Sequence, residues 1–267
     1  MSAAALGPGD LALAAALVSA SAGLSLILSL GLARTFVVAG LRAAAQLTLV
    51  GFVLRAIFAA ASPWAVLAAA AVMMAAATAE IAARQDRPLA GLWRHGLGGG
   101  PMAAATVLVV GASYLTRLHP TPWYDPRVLV PLLGIVLGSV MSAVSVGLNG
   151  LGLAVTRERA AIEARLALGA TRLEALGGPV RAAVRAGLIP ILNQMSAAGL
   201  VTLPGMMTGQ ILAGADPRGA ADIQILTLFM LAAAGALGTI GAVYGAAWRL
   251  TDARHRLRLD RLAPSRP

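Results

Sequence analysis

The sequence contains no cysteine. That excludes disulfides, a thiolate metal centre and a cysteine nucleophile. Lysine is absent as well, and all 21 basic residues are arginine. A phosphate-binding P-loop needs its lysine and a Schiff-base enzyme needs its amine, so this chain encodes neither. Charged residues make up only 12%, against roughly a quarter in soluble domains. The three histidines, His95, His119 and His255, are read outside the apolar runs. A two-histidine metal site or a serine–histidine dyad within the membrane is therefore not expected, which argues against an intramembrane hydrolase.

What the chain has instead is apolar surface. Apolar residues are 58% of the total and mean hydropathy is +0.80. A soluble fold of 267 residues cannot hide this much, whereas a bilayer absorbs about 20 apolar residues per helical span. The runs are rich in Ala, Leu, Val and Gly and show little of the alternation of an outer-membrane barrel. Helices satisfy their own backbone in lipid, so the expected fold is all-α: a polytopic bundle of about seven spans forming one domain over residues 1–267. The spans read as Leu11–Leu32, Phe36–Ala59, Pro63–Ala83, Pro101–Leu118, Val128–Val155, Ala186–Leu203 and Ile223–Trp248. Pro63 and Pro101 suit a first helical turn.

The net charge of +10 is explained by topology rather than by nucleic acid. One set of loops holds 16 arginines: Arg34, the group Arg84 to Arg94, the group Arg157 to Arg185 and the tail from Arg249 to Arg266. The other set holds 4, Arg55, Arg117, Arg127 and Arg218. The positive-inside rule then puts the N-terminus outside and the C-terminus in the cytoplasm. No basic residue precedes the first apolar run, so Ser19-Ala20-Ser21-Ala22 is not read as a signal-peptide cleavage site. No inverted repeat of the kind found in many secondary transporters stands out.

Several polar residues fall inside spans. Arg42 lies in the second, with Gln46 one turn on; Arg42 either snorkels to the interface or serves a pathway. Ser139, Ser142, Ser145 and Asn149 share one face of the fifth span, suited to helix packing or to a pore. Asn193 and Gln194 in the sixth are similar. Glu80 and Arg84 are spaced to pair along the third helix. Leu203-Pro204-Gly205-Met206-Met207-Thr208-Gly209-Gln210 interrupts an apolar run, and residues 205–214 either re-enter the membrane or continue the sixth span. Non-helical backbone at that depth survives only against protein or a watery cavity, which makes this stretch the best candidate for a substrate path. Met206 and Met207 are thioether candidates for a soft metal and equally ordinary packing filler.

The loop over residues 156–185 reads as a helix ending at Gly169, a capping box over Thr171-Arg172-Leu173-Glu174 and a second short helix. A break at Gly177-Gly178-Pro179 would then precede a third helix carrying Arg181 and Arg185. It is either a basic loop that only sets orientation or a rigid docking element for a cytoplasmic partner.

Glu163-Ala164-Arg165, three residues and then Gly169 resemble the Glu-Ala-Ala–x3–Gly coupling motif of ABC importer permeases, although Ile189-Pro190 lie too far on for that motif's later part. Along nearly its whole length the chain is similar to the FetB-like family of iron-export ABC transporter permeases. The stretches that carry this are Leu41-Arg42 to Gln46-Leu47, Glu163 to Thr171 with Leu166-Ala-Leu-Gly169 between, and Leu203-Pro-Gly-Met-Met-Thr-Gly-Gln-Ile-Leu-Ala-Gly-Ala-Asp-Pro217. The resemblance implies a multi-pass permease of the bacterial inner membrane that is not itself an enzyme. It would dimerise and couple through Glu163, Ala164, Arg165, Gly169 and Thr171 to a separate ATPase that holds ATP and Mg. Arg42, Gln46, Asn149, Asn193, Pro204, Gly205 and Gln210 are the residues read along its path. Iron is the first cargo implied, but plant relatives are tied to aluminium tolerance and to nucleotide-sugar transport, so the family does not fix the substrate. Two rivals stand beside it. An ion-coupled carrier needs buried carboxylates, and Glu80 is the one acid placed in a span. A non-transporting scaffold would leave the Pro204-Gly205 interruption without a purpose.

Overall fold

A chain of long apolar runs punctuated by proline and glycine has one economical solution, a set of helices joined by short turns. The computed structural model describes residues 7–116, 121–252 and 254–264; Arg117, Leu118, His119 and Arg266 lie outside them. Nine α-helices occur among the described residues: α1 (Pro8–Ile27), α2 (Ala33–Ala60), α3 (Pro63–Ala83), α4 (Trp93–Ser113), α5 (Pro126–Arg157), α6 (Arg159–Ala167), α7 (Arg172–Ala197), α8 (Gly205–Leu212) and α9 (Pro217–Arg249). Among these residues there is no β-strand, only isolated backbone bridges. Seven helices, all but α6 and α8, are long and apolar enough to cross a membrane. At 1.5 Å per residue, α5 and α9 are each about 50 Å long, longer than a bilayer core of about 30 Å, so their ends project beyond it.

Packing divides the chain into two units, Met1–Ala61 and Ser62–Pro267. The first is the α1–α2 pair. Its turn is closed by Ser25, whose buried Oγ accepts from the Leu32 backbone N–H at 3.0 Å, and Val18 lies against Gly40.

In the second unit α5, α7 and α9 pack on one another, α4 lies on α9 and α5, and α3 lies on α4 and α5. Lipid tails are as apolar as leucine, so close contact between small residues must do what the hydrophobic effect does in water. The centre shows it. A Cβ added to Gly187 of α7 would stand 2.6 Å from the Ala143 carbonyl oxygen of α5, and one added to Gly238 of α9 would stand 2.5 Å from Val140 Cγ1. Val136, Val140 and Val144 on α5 and Ala234, Ala242 and Val243 on α9 are fully buried between these contacts.

The prolines correct the boundaries read from sequence. The fourth span begins at Trp93, not Pro101, which sits inside α4 and takes His95 into the first helical turn. The Pro101 ring is accommodated by α9, where Gly241 presents no side chain to it. The sixth span is not preceded by a separate helix: α7 runs unbroken from Arg172 through Gly177-Gly178-Pro179 and Pro190. It also ends at Ala197 rather than Leu203, so Pro204-Gly205 interrupts no span. Pro204 is the N-cap of α8 and Gly205 its first residue. Residues 205–212 thus neither continue the sixth span nor form an irregular loop.

Candidate functional site

Two places concentrate the chemistry, at opposite ends of α5. At its C-terminal end, α6 is anchored by Ile162, which is fully buried. It closes in a complete Schellman motif. The Gly169 N–H donates to the Leu166 carbonyl at 3.1 Å and the Ala170 N–H to the Arg165 carbonyl at 3.0 Å, with Gly169 at φ +91°. Two residues later α7 opens on the capping box foreseen from sequence. Thr171 Oγ1 accepts from the Glu174 N–H at 3.4 Å, and the Glu174 carboxylate accepts from the Thr171 N–H at 2.8 Å.

Pro179 explains a further contact. It has no N–H to give the Ala175 carbonyl one turn back. The Arg165 guanidinium reaches that oxygen instead, at 3.5 Å, a long bond that stitches α6 to α7. Glu163 pairs with Arg159 at 2.9 Å on the exposed side of α6, where Ala164 is exposed too. Leu168 and Leu173, which flank the turn, are 88% and 58% exposed. The turn is therefore a stiff element presenting apolar side chains, continuous through α7 with the centre of the bundle.

The same end is tied down elsewhere. Asn149 is engaged in a structural contact: its Oδ1 accepts from the Asp86 N–H at 2.9 Å and its Nδ2 donates to Asp86 Oδ2 at 3.2 Å, which fastens α5 to the α3–α4 connection. Arg84 donates to Glu80 at 3.2 Å, as their spacing suggested. The tail after α9 returns over that connection, the Ala90 N–H donating to the Arg261 carbonyl and the Ala263 N–H to the Pro88 carbonyl, both at 2.8 Å. Two carboxylates in this tail are held below their ordinary range. Asp252 accepts from the Arg256 backbone N–H, and Asp260 is pulled to about 2 by its hydrogen bond from Arg258.

At the other end of α5 the start of that helix, α8 and the start of α9 enclose a cavity of about 340 Å³. Arg127, Pro131 and Ile135 line it from α5, Met206 and Gln210 from α8, and Thr227 from α9. The Thr227 hydroxyl is spent on the Ile223 carbonyl of its own helix. Gln210 Oε1 is buried with no hydrogen-bond partner among the described residues. A buried acceptor left unpaired costs about 1–3 kcal/mol, so this atom is poised for something that brings a donor or a cation. Met207 is not among the lining residues. Sequence reading missed Arg127, counted there only as a loop charge. Its recurrence with Pro131 and Ile135 at intervals of four was the available signal.

Between these ends, Ser139 and Ser142 line a smaller cavity of about 220 Å³ with Gly187, Pro190 and Gln194. Ser145 is buried with its hydroxyl oxygen unpartnered among the described residues, and Asn193 lies on an exposed face of α7. Arg42 and Gln46 share a face of α2, in the first unit. Among the described residues no three His, Asp or Glu side chains come together as a metal cage.

The Uncharacterised protein family (UPF0014) matches residues 8–250 of the chain. A UPF0014 membrane protein of Synechocystis sp. is 39% identical over 206 residues, which is 76% of this chain and 77% of that protein. The probable iron export permease protein FetB of Escherichia coli is 39% identical over 139 residues, 52% of this chain and 54% of that one. The protein ALUMINUM SENSITIVE 3 of Arabidopsis thaliana is 30% identical over 199 residues, 74% and 71% of the two chains. No solved structure matches. With seven membrane-length helices and relatives named as membrane proteins, the chain is a multi-pass membrane protein.

Proposed function

We propose that this chain, which belongs to the Uncharacterised protein family (UPF0014), is the membrane-spanning permease subunit of an ATP-driven exporter. ATP would be hydrolysed on a separate cytoplasmic subunit. The observation that carries the reading is the α6–α7 turn. A Schellman motif and a capping box lock it, Leu168 and Leu173 offer it an apolar contact surface, and unbroken α7 joins it to the bundle core. A push on such a turn is transmitted along α7 rather than absorbed by a loop. Two copies of the chain would pair with two ATPase subunits in the bacterial inner membrane, N-terminus outside and C-terminus in the cytoplasm, in keeping with the arginine distribution. A reporter active only outside the cell should then work when fused near Pro122 and fail when fused after Arg165.

The cavity beside Gln210 is the best candidate for a point on the substrate path. Iron is the first cargo to test, because FetB of Escherichia coli is named as a probable iron export permease protein. Gln210 Oε1 and the Met206 thioether are the donors this cavity offers a metal ion. The test is ATP-dependent iron accumulation in inverted vesicles that hold this chain with its ATPase. ATP-dependent loss of iron from the lumen would reverse the direction, and ATP hydrolysis indifferent to the presence of this chain would end the reading.

A further inference from the structure

A second concavity lies away from both ends of the path. Between α7 and α9 runs an open groove of about 870 Å³ whose two ends differ in chemistry. Arg181, Arg185 and Tyr244 stand at the end nearer the α6–α7 turn; Leu188, Leu192 and Ile240 line it farther from that turn. From Arg181 to Leu192 the groove follows α7 for about 16 Å, about half a bilayer core. Neither arginine makes an ion pair among the described residues. The one carboxylate of α7, Glu174 in its first turn, is engaged by Thr171. The Arg181 guanidinium folds back over Gly177, where a Cβ would stand 3.3 Å from Nη1.

We propose that this groove binds one phospholipid with an anionic headgroup, its phosphate between Arg181 and Arg185 and an acyl chain along Leu188, Leu192 and Ile240. The polarity of the groove along the membrane normal is that of a phospholipid in the leaflet next to the α6–α7 turn. Two guanidiniums one turn apart can both donate to one phosphate, and their charge favours anionic over zwitterionic lipid. A second copy of the chain covering α7 would have to bury both arginines unpaired unless it brought matching acids, which is costly. The site sits on the helix that continues into the turn, so its occupancy stiffens the element through which the turn acts on the bundle.

The test uses the full chain, purified in detergent and offered phosphatidylglycerol or phosphatidylcholine, with bound lipid counted by native mass spectrometry. One phosphatidylglycerol per chain should be retained in preference to phosphatidylcholine. Arg181→Gln with Arg185→Gln should weaken that retention roughly thirtyfold, taking about 1 kcal/mol for each arginine. Leu192→Trp keeps both charges but fills the groove, and should also lose the lipid, which a merely basic surface would not. Equal retention of the two lipids, or full retention by the double arginine variant, overturns the proposal. So does conversion of a dimer to a monomer by Leu192→Trp with lipid binding intact, which would assign the groove to a second copy. None of these readouts depends on transport.

Discussion

α6 and α8 are both short helices that turn the chain between long ones, and both close in the same way. Gly169 sits at φ +91° and Gly214 at φ +93°. After each, the two N–H groups that follow the helix bond back to its last carbonyls, Gly169 and Ala170 in one case, Gly214 and Ala215 in the other. The backbone chemistry is the same and the side chains around it are not. Around α6 the proline-freed carbonyl of Ala175 is covered by Arg165, Thr171 and Glu174 cap each other, and Ile162 is buried. Around α8 the Gln210 oxygen is buried and unpaired beside a cavity. A completed hydrogen-bond set makes a part that transmits force, while an incomplete one leaves a part able to accept a ligand.

The largest effect should come from separating the two turns. A non-glycine residue held at positive φ costs about 1–2 kcal/mol, and it costs the same in either place. Gly169→Leu and Gly214→Leu should therefore lower thermal stability alike in detergent. Only Gly169→Leu should cut ATPase stimulation, by roughly tenfold if that strain falls on the coupling geometry. Equal stimulation by both variants would reduce the α6–α7 turn to a topology signal.

The next effect is a trade between stability and transport. Gln210→Leu removes an unpaired buried acceptor and should leave the unfolding midpoint unchanged or higher, the relief being about 1–3 kcal/mol. Transport should fall in the same protein. Met206→Leu conserves volume and should cost under about 1.5 kcal/mol. If it abolishes metal movement at normal abundance, the thioether is a ligand, and Met207→Leu, outside the lining, is its control. Full transport by Gln210→Leu removes the cavity from the path.

What could be read from the sequence follows the range of the chemistry. Gly169 as a helix stop and Thr171-to-Glu174 as a capping box were legible because each motif is closed by residues within five positions. The seven apolar runs were legible because a bilayer imposes a length. The prolines were not. Pro179 remains inside a helix because Arg165, fourteen positions earlier, covers the carbonyl it frees, and Pro101 because α9 carries Gly241 opposite its ring. The bond of Asn149 to Asp86 was not legible because its partner is 63 residues away. The cavity beside Gln210 needed three helices to converge: the four-residue spacing of Arg127, Pro131 and Ile135 marks a shared helix face but not what that face lines.

A smaller effect tests the stitch itself. Arg165→Met should cost about 0.5–1 kcal/mol, since a long, half-exposed hydrogen bond to a backbone carbonyl is weak. Pro179→Ala restores the N–H that Ala175 lacks. In that background Arg165→Met should be nearly silent, and the double-mutant cycle should return the difference as a coupling energy. Additive effects would mean that Arg165 does not serve the proline-freed carbonyl.

The smallest effect concerns the tail strap, a third locked element at the α6 end. Asp260 has its pKa lowered to about 2 by Arg258, and Asp252 is lowered chiefly by the Arg256 backbone N–H, both from an ordinary 3.8. A carboxylate whose folded pKa lies below its unfolded value contributes stability that is fully present above the unfolded pKa and lost as pH falls through the folded one. The strap should therefore be indifferent to pH between 8 and 5, weaken below about 4 and lose the Asp260 contribution near 2. Amide exchange at Ala90 and Ala263 reports this, because their N–H groups bridge tail and loop. Their protection, corrected for intrinsic exchange, should hold across the neutral range and then fall. Asp252→Asn with Asp260→Asn should give the low-pH protection already at neutral pH. Asp260 is exposed, so water screens its pair with Arg258, and the change should be the least of the four. Protection that stays flat down to pH 2 would assign the strap to its backbone bonds and to Arg261, which donates to the Arg249 and Thr251 carbonyls at the end of α9.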